Sequence, residues 1–200
     1  MNPDMSGASG AEKELAQLRE RRLSSTPIFD GTVLHVFKDN VLLPNGKTGE
    51  REYTVHGGAV CVLPLLEDGT VLLERQFRYA MDQVLTEIPA GKLDSPQEDP
   101  RSAALRELRE ETGARAEELI FLGRFFPACA YSTEVIHMFL ARKLTFGDRE
   151  LDDDEFLNVF RMPLEELVAQ VLAGQIPDAK TQAAALRVWA LVNQERTKTP

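Results

Sequence analysis

The chain has 200 residues, 43% of them hydrophobic, enough for one compact domain with an appendage and a sizeable core. Its formal net charge of -9, with 23 Lys and Arg scattered along the length, argues against a surface that grips the phosphate backbone of nucleic acid. No stretch reaches the ~18 apolar residues of a membrane span, the first ten residues lack the basic and apolar regions of a signal peptide, and Cys61 and Cys129 lack metal-ligand spacing, so an unexported protein of the reducing cytoplasm is expected.

In chain order, residues 1–10 are rich in small residues and read as a disordered tail, and Ala11 to Leu23 carry a short helical pattern. From Pro27 to Val55 apolar residues alternate in short runs, and Asn45-Gly46 is a two-residue hairpin signal between Val41-Leu42-Leu43 and Arg51-Glu52-Tyr53. Residues 11–56 therefore make an N-terminal helix and a small antiparallel sheet. A second hairpin joins Ala59–Leu66 to Thr70–Gln76 through Asp68-Gly69, and a short strand near Leu85–Ile88 follows. A helix is expected from about Pro100 to Thr112, with Asp99 as its N-cap, Pro100 at its first position and Gly113 able to take the left-handed conformation that ends it. Strands near Leu119–Arg124, Val135–Leu144 and Phe156–Phe160 come next, then helices near Pro163–Ala173 and Asp178–Asn193. Strands around a central helix, with helices outside, describe an α/β/α sandwich with a mixed sheet over residues 57–200.

The Pro100–Thr112 helix carries Glu107, Glu110 and Glu111. At about 100° per residue the three carboxylates share an arc of about 100°, while Leu105 and Leu108 occupy a separate apolar sector. Like charges so placed cost a helix a few tenths of a kcal/mol per pair, a cost that a divalent cation offsets. The same spacing suits a solvated acidic face. Carboxylates with no nearby His or Cys favour Mg2+ over zinc, with Mn2+ as substitute.

The flanking residues decide between these readings. Pro89-Ala90-Gly91-Lys92-Leu93-Asp94, Glu98, and Arg106-Glu107-Leu108-Arg109-Glu110-Glu111-Thr112-Gly113-Ala114 together resemble the Nudix box, G-x5-E-x7-R-E-U-x-E-E-x-G-U with U apolar. Six residues, Lys92 to Gln97, separate Gly91 from Glu98 where the pattern has five, an insertion that an exposed turn around Ser95-Pro96 absorbs cheaply. The resemblance implies a pyrophosphohydrolase. Glu107 and Glu111 would be the chief metal ligands, Glu110 would act directly or through water, and the Ala90 carbonyl would complete the site. Gly91, Glu98, Arg106 and Gly113 would be structural, with Arg106 and Glu98 forming an ion pair.

Further segments resemble the ADP-ribose pyrophosphatase branch: Arg75-Gln76-Phe77-Arg78-Tyr79, Glu87-Ile88-Pro89-Ala90-Gly91, Phe126-Pro127 through Ser132-Thr133-Glu134-Val135, Asp154-Glu155-Phe156, and Gly174-x-Ile176-x-Asp178-Ala179-Lys180-Thr181. That resemblance implies hydrolysis of ADP-ribose to AMP and ribose 5-phosphate, and a homodimer built on the N-terminal element. It makes Glu155 the general base or an extra metal ligand, with Asp153 as the alternative. Arg51 and Arg78 are candidates for the diphosphate or terminal ribose, and Glu87 for a ribose hydroxyl or a water. Phe29 and Tyr53 are core aromatics or adenine-stacking groups, and His35, His56 and His137 stay outside the candidate site. GDP-mannose or another nucleoside diphosphate derivative is the alternative substrate. A ligand sensor without catalysis is the alternative from another class.

Overall fold

The structure, a computed structural model, describes residues 10–95, 97–151 and 156–198. The described residues form two compact units, one made of 10–56 with 128–133 and the other of the remainder. Most of the expected tail, residues 1–9, lies outside the described residues; Gly10 opens the first helix.

The first unit contains α1 (Gly10–Ala16), β1 (Arg21–Asp30), β2 (His35–Leu42) and β3 (Thr48–Val55), the strands pairing antiparallel in the order β1-β2-β3. The helix is shorter than the 11–23 expected, because Arg21 onward pairs with β2, beginning at Arg21↔Leu42. Arg21-Arg22-Leu23 are good helix formers, and a ladder of backbone hydrogen bonds outweighs their local preference. The β2–β3 loop also differs from the two-residue expectation. Leu43 N–H bonds the Lys47 carbonyl and Gly46 N–H bonds the Leu43 carbonyl, which leaves a three-residue loop, Pro44-Asn45-Gly46. Pro44 offers no N–H to a ladder and its fixed φ suits the first corner of a turn, while Gly46, at φ 81°, takes the left-handed position that closes such a loop.

The second unit is built on β4 (Ala59–Pro64), buried along its whole length. With β7 (Ala90–Lys92), β8 (Ala114–Phe125) and β9 (Ile136–Phe146) it forms a mixed sheet of order β7-β4-β9-β8, in which β4 and β9 run parallel. A second sheet, all antiparallel, has the order β10-β5-β6, from β5 (Thr70–Arg78), β6 (Gln83–Glu87) and β10 (Leu157–Pro163). The expected second hairpin is thus only half realised. Its turn forms, with Leu66 N–H on the Thr70 carbonyl, but β4 and β5 enter different sheets, and an isolated bridge, Leu65↔Val71, lies just past the end of β4. A strand buried on both faces is satisfied by two flanking strands of its own, and β7 and β9 take those places.

Alternation along β4 then distributes the core. Val60 and Val62 point to α2 (Pro100–Thr112), packing with Ala103, Ala104, Leu108 and Phe139. Ala59, Cys61 and Leu63 point the other way, to α3 (Leu164–Leu172) and α4 (Ala179–Lys198), packing with Met138, Leu140, Leu167 and Val188. Helices on both faces of the sheet make the α/β/α sandwich expected, and each fully buried leucine contributes about 1.5–3 kcal/mol to it. Among the described residues no helix is long and apolar enough to cross a membrane.

Candidate active site

The α2 helix begins and ends as its sequence dictates. Asp99 accepts hydrogen bonds from the Ser102 N–H at 3.1 Å and the Ser102 hydroxyl at 3.0 Å, which hold its carboxyl below the usual aspartate range. Gly113, at φ 71°, sends its N–H to the Arg109 carbonyl, and a Cβ there would collide with the Gly147 carbonyl. Ahead of α2 the Glu98 N–H bonds the Ser95 carbonyl. Glu98 Oε2 accepts from Asp94 N–H at 2.6 Å, the main cause of its lowered carboxyl pKa.

The acids of α2 are not where the two-sector picture put them. Glu107 and Glu111 lie on the buried stripe of the helix with Ala103, Ala104 and Leu108, at 8% and 3% exposure, whereas Leu105 is only partly buried. Burying carboxylates costs several kcal/mol unless partners compensate, so their place on the inner face is a specific arrangement rather than a solvated one. Gly91 makes room for it: a Cβ at that position would overlap the Glu107 carboxylate, so the strand can lie against the acid only because position 91 carries no side chain. Glu111 Oε2 accepts the Ala90 N–H at 3.0 Å. In an extended strand a residue's N–H and C=O point to the same side, so the Ala90 carbonyl faces α2 as well.

Arg106 organises the remaining acids. Its guanidinium meets Glu107 at 2.8 Å, Glu110 at 3.2 Å and Glu98 at 3.4 Å, and donates to the Lys92 carbonyl at 3.3 Å. The expected Arg106–Glu98 pair is present, but the shorter contact goes to Glu107. Partial burial disfavours the Arg106 charge, and Glu107, Glu98 and Glu110 more than restore it. Glu107 and Glu110 therefore share a cation while Glu111 turns to Ala90; among the described residues no three acidic, His or Cys side chains gather at metal-ligand spacing. The donor set nonetheless suits a hard divalent cation: two buried carboxylates, a third at the rim, a backbone carbonyl facing them and a glycine cradle, all oxygen.

Arg78 and Glu87 are brought together with each other. Arg78 Nε and Nη2 each bond a Glu87 oxygen at 2.7 Å, and the Lys180 ammonium donates to the same carboxylate. Burial pushes the Glu87 carboxyl up, but these two cations outweigh it and hold the pKa below the usual glutamate range. Arg51 lies in the first unit, ion-paired with Glu20. Glu155 and Asp153 lie outside the described residues. Two arrangements escaped the sequence reading. Arg109 bridges Glu110 at 3.0 Å and Glu150 at 2.6 Å, while Glu150 N–H bonds the Glu110 carbonyl. Asp178 caps α4 through Thr181, an Asp-x-x-Thr spacing that is a legible N-cap signal.

The NUDIX domain profile matches residues 55–185. Over 172 residues, 85% of this chain and 92% of the relative, the sequence is 39% identical to a protein of Bacillus subtilis (strain 168) named ADP-ribose pyrophosphatase. Over 167 residues it is 36% identical to a protein of Bacillus methanolicus named methanol dehydrogenase activator, covering 82% of this chain and 90% of that one. A crystal structure of an ADP compounds hydrolase superposes with a TM-score of 0.79 at 23% identity, over 88% of this chain and 96% of the other, a likeness of fold. With the acids of α2 buried against a glycine strand inside an α/β/α sandwich, the chain belongs to the NUDIX family and is a Nudix hydrolase.

Proposed function

We propose that this chain hydrolyses the diphosphate of ADP-ribose, giving AMP and ribose 5-phosphate. The observation that carries the reading is the burial of Glu107 and Glu111 against Gly91 and Ala90, in a chain that matches an ADP-ribose pyrophosphatase along most of its length. Glu107, Glu110, Glu111 and the Ala90 carbonyl would hold magnesium, with manganese as a substitute; the chemistry supplied by the bound ion is neutralisation of the diphosphate oxygens and acidification of water. Arg106 keeps Glu107 and Glu110 aligned by pairing with both. Arg78, half-exposed and gripped on one side by Glu87, presents a preoriented guanidinium to an anionic oxygen of the substrate. Glu87 supports a ribose hydroxyl through Arg78. Glu155 takes the proton from the attacking water, with Asp153 the alternative base.

A homodimer fits the first unit. Every residue of β1 is exposed, Ile28, Phe29, Val33 and Leu34 among the exposed apolar residues of this unit, and a second copy would bury what one chain leaves open. Light scattering of the purified protein tests it. A cytoplasmic location fits two free cysteines, Cys61 and Cys129.

The decisive assay is release of AMP from ADP-ribose with and without magnesium, for the native chain and Glu111→Gln. Turnover should require the metal and vanish in the variant; normal turnover in Glu111→Gln sinks the site. GDP-mannose belongs in the same kcat/KM panel. Similarity to the Bacillus methanolicus protein favours a second reading, activation of a dehydrogenase, which stimulation of such an enzyme by the Glu111→Gln variant would separate from hydrolysis.

A further inference from the structure

The Gly174-x-Ile176-x-Asp178-Ala179-Lys180-Thr181 segment does more than cap α4 and pair with Glu87: its side chains converge on the chain that enters β7. Thr181 is fully buried and its hydroxyl is used twice: it accepts the Ile88 N–H at 2.9 Å and donates to Asp178 Oδ2 at 2.5 Å. Asp178 Oδ1 accepts from Lys180 at 3.1 Å, and Lys180, 9% exposed, also donates to Glu87. The next two backbone groups are held from other directions. The Pro89 carbonyl accepts the Val62 N–H at 2.9 Å, and the Ala90 N–H reaches Glu111 at 3.0 Å. Three successive residues, Ile88, Pro89 and Ala90, are therefore tied to α4, β4 and α2 in turn. Pro89 gives up nothing here, since it has no N–H to satisfy.

Resting on the metal site proposed above, we infer that Thr181 is a positioning residue for it. Asp178 orients the Thr181 hydroxyl, the hydroxyl holds Ile88, and the pinned strand presents Ala90 to Glu111 at the place where the cation binds. The arrangement acts as outer partners do around a metal centre, by fixing the orientation of groups that make the direct contacts. Lys180 restrains the residue before it, Glu87, and so shares the task.

The test is titration of Mn2+ into the 200-residue chain without nucleotide, followed by electron paramagnetic resonance of free Mn2+, alongside kinetics on ADP-ribose and thermal unfolding. Thr181→Val, which keeps the shape and removes the hydroxyl, should weaken Mn2+ binding about tenfold and lower kcat with KM for substrate little changed, while Thr181→Ser stays within about threefold of the native chain. Native Mn2+ affinity in Thr181→Val, with only a lowered Tm, overturns the inference and leaves Thr181 a packing residue. If Thr181→Val does not fold, Asp178→Ala removes the acceptor that orients the Thr181 hydroxyl, and should weaken Mn2+ binding in the same direction; native affinity there overturns the inference equally. Glu111→Gln separates the two levels: if it too binds Mn2+ as the native chain does, the metal site itself is misplaced, and not merely the role of Thr181.

Discussion

Replacing Gly91 with Ala adds one methyl group at the closest approach of β7 to α2. The added Cβ would overlap the Cδ and both oxygens of Glu107, all three well inside the 3.0 Å that real Cβ contacts respect. No small adjustment resolves three overlaps at once, so Glu107 must change rotamer or β7 must move away from α2. β7 is held by Ala59↔Lys92, Val60↔Gly91 and Cys61↔Ala90, and by Glu111 on Ala90, so the side chain is the part that yields. Swinging Glu107 aside costs about 0.5–1.5 kcal/mol in rotamer strain and forfeits part of the Arg106 contact at 2.8 Å; overpacking of this kind totals about 1–3 kcal/mol. For a chain of 200 residues that is a fall in Tm of about 2–12 °C, measurable by circular dichroism. The effect on catalysis should be larger than that on stability, because a displacement of about 1 Å in a positioned group costs on the order of 100-fold in rate. Magnesium-dependent release of AMP from ADP-ribose, read as kcat/KM, measures it. A Gly91→Ala variant with native kcat/KM would refute the placement of Glu107 against this strand, and with it the reason offered for a glycine at position 91.

Leu108, fully buried on the inner face of α2, should cost about 2–5 kcal/mol as Leu108→Ala, seen as a lowered midpoint in urea. Glu87 titrates below the usual carboxylate range in the fold, so its stabilisation is present above that range and is lost as the pH falls through the lowered value; Glu87→Gln should flatten the acid limb of stability below the ordinary glutamate range. The partner Lys180 is raised, burial opposing and Asp178 and Glu87 prevailing, so its contribution holds below the usual lysine range and fades as the pH rises above it. The Cys61 thiol is pushed up to about 12 by burial, while Cys129 is exposed: at pH 8 a thiol reagent should label one cysteine in the native chain and both in denaturant.

The box helix was legible because its signals are local. Asp99, Pro100 and Gly113 act on backbone groups within four residues of themselves, and the helix runs from Pro100 to Thr112 as those residues indicate. The turns at Asn45-Gly46 and Asp68-Gly69 were legible for the same reason, although Pro44 lengthened the first. The α/β/α layering followed from the alternation of helix and strand patterns.

What pairs with what across long stretches of chain was not legible. Residues 66–70 turn as expected, yet only the flanking strands β7, β9 and β10 determine that β4 and β5 part into two sheets. Periodicity on α2 groups Glu107, Glu110 and Glu111, but it cannot tell which arc is inside; the sheet and Gly91 decide that Glu107 and Glu111 face inward and Glu110 the rim. Arg78 and Glu87 could be named as candidates, whereas their grip on one another, and that of Lys180 on Glu87 across 93 residues, exist only once β5, β6 and α4 are packed. The sequence by itself determined the capped acidic helix and hence the kind of chemistry, since capping and helical spacing are short-range. Tertiary structure alone decided which carboxylates are buried and what holds them, because burial and charge pairing depend on chain segments far apart in sequence.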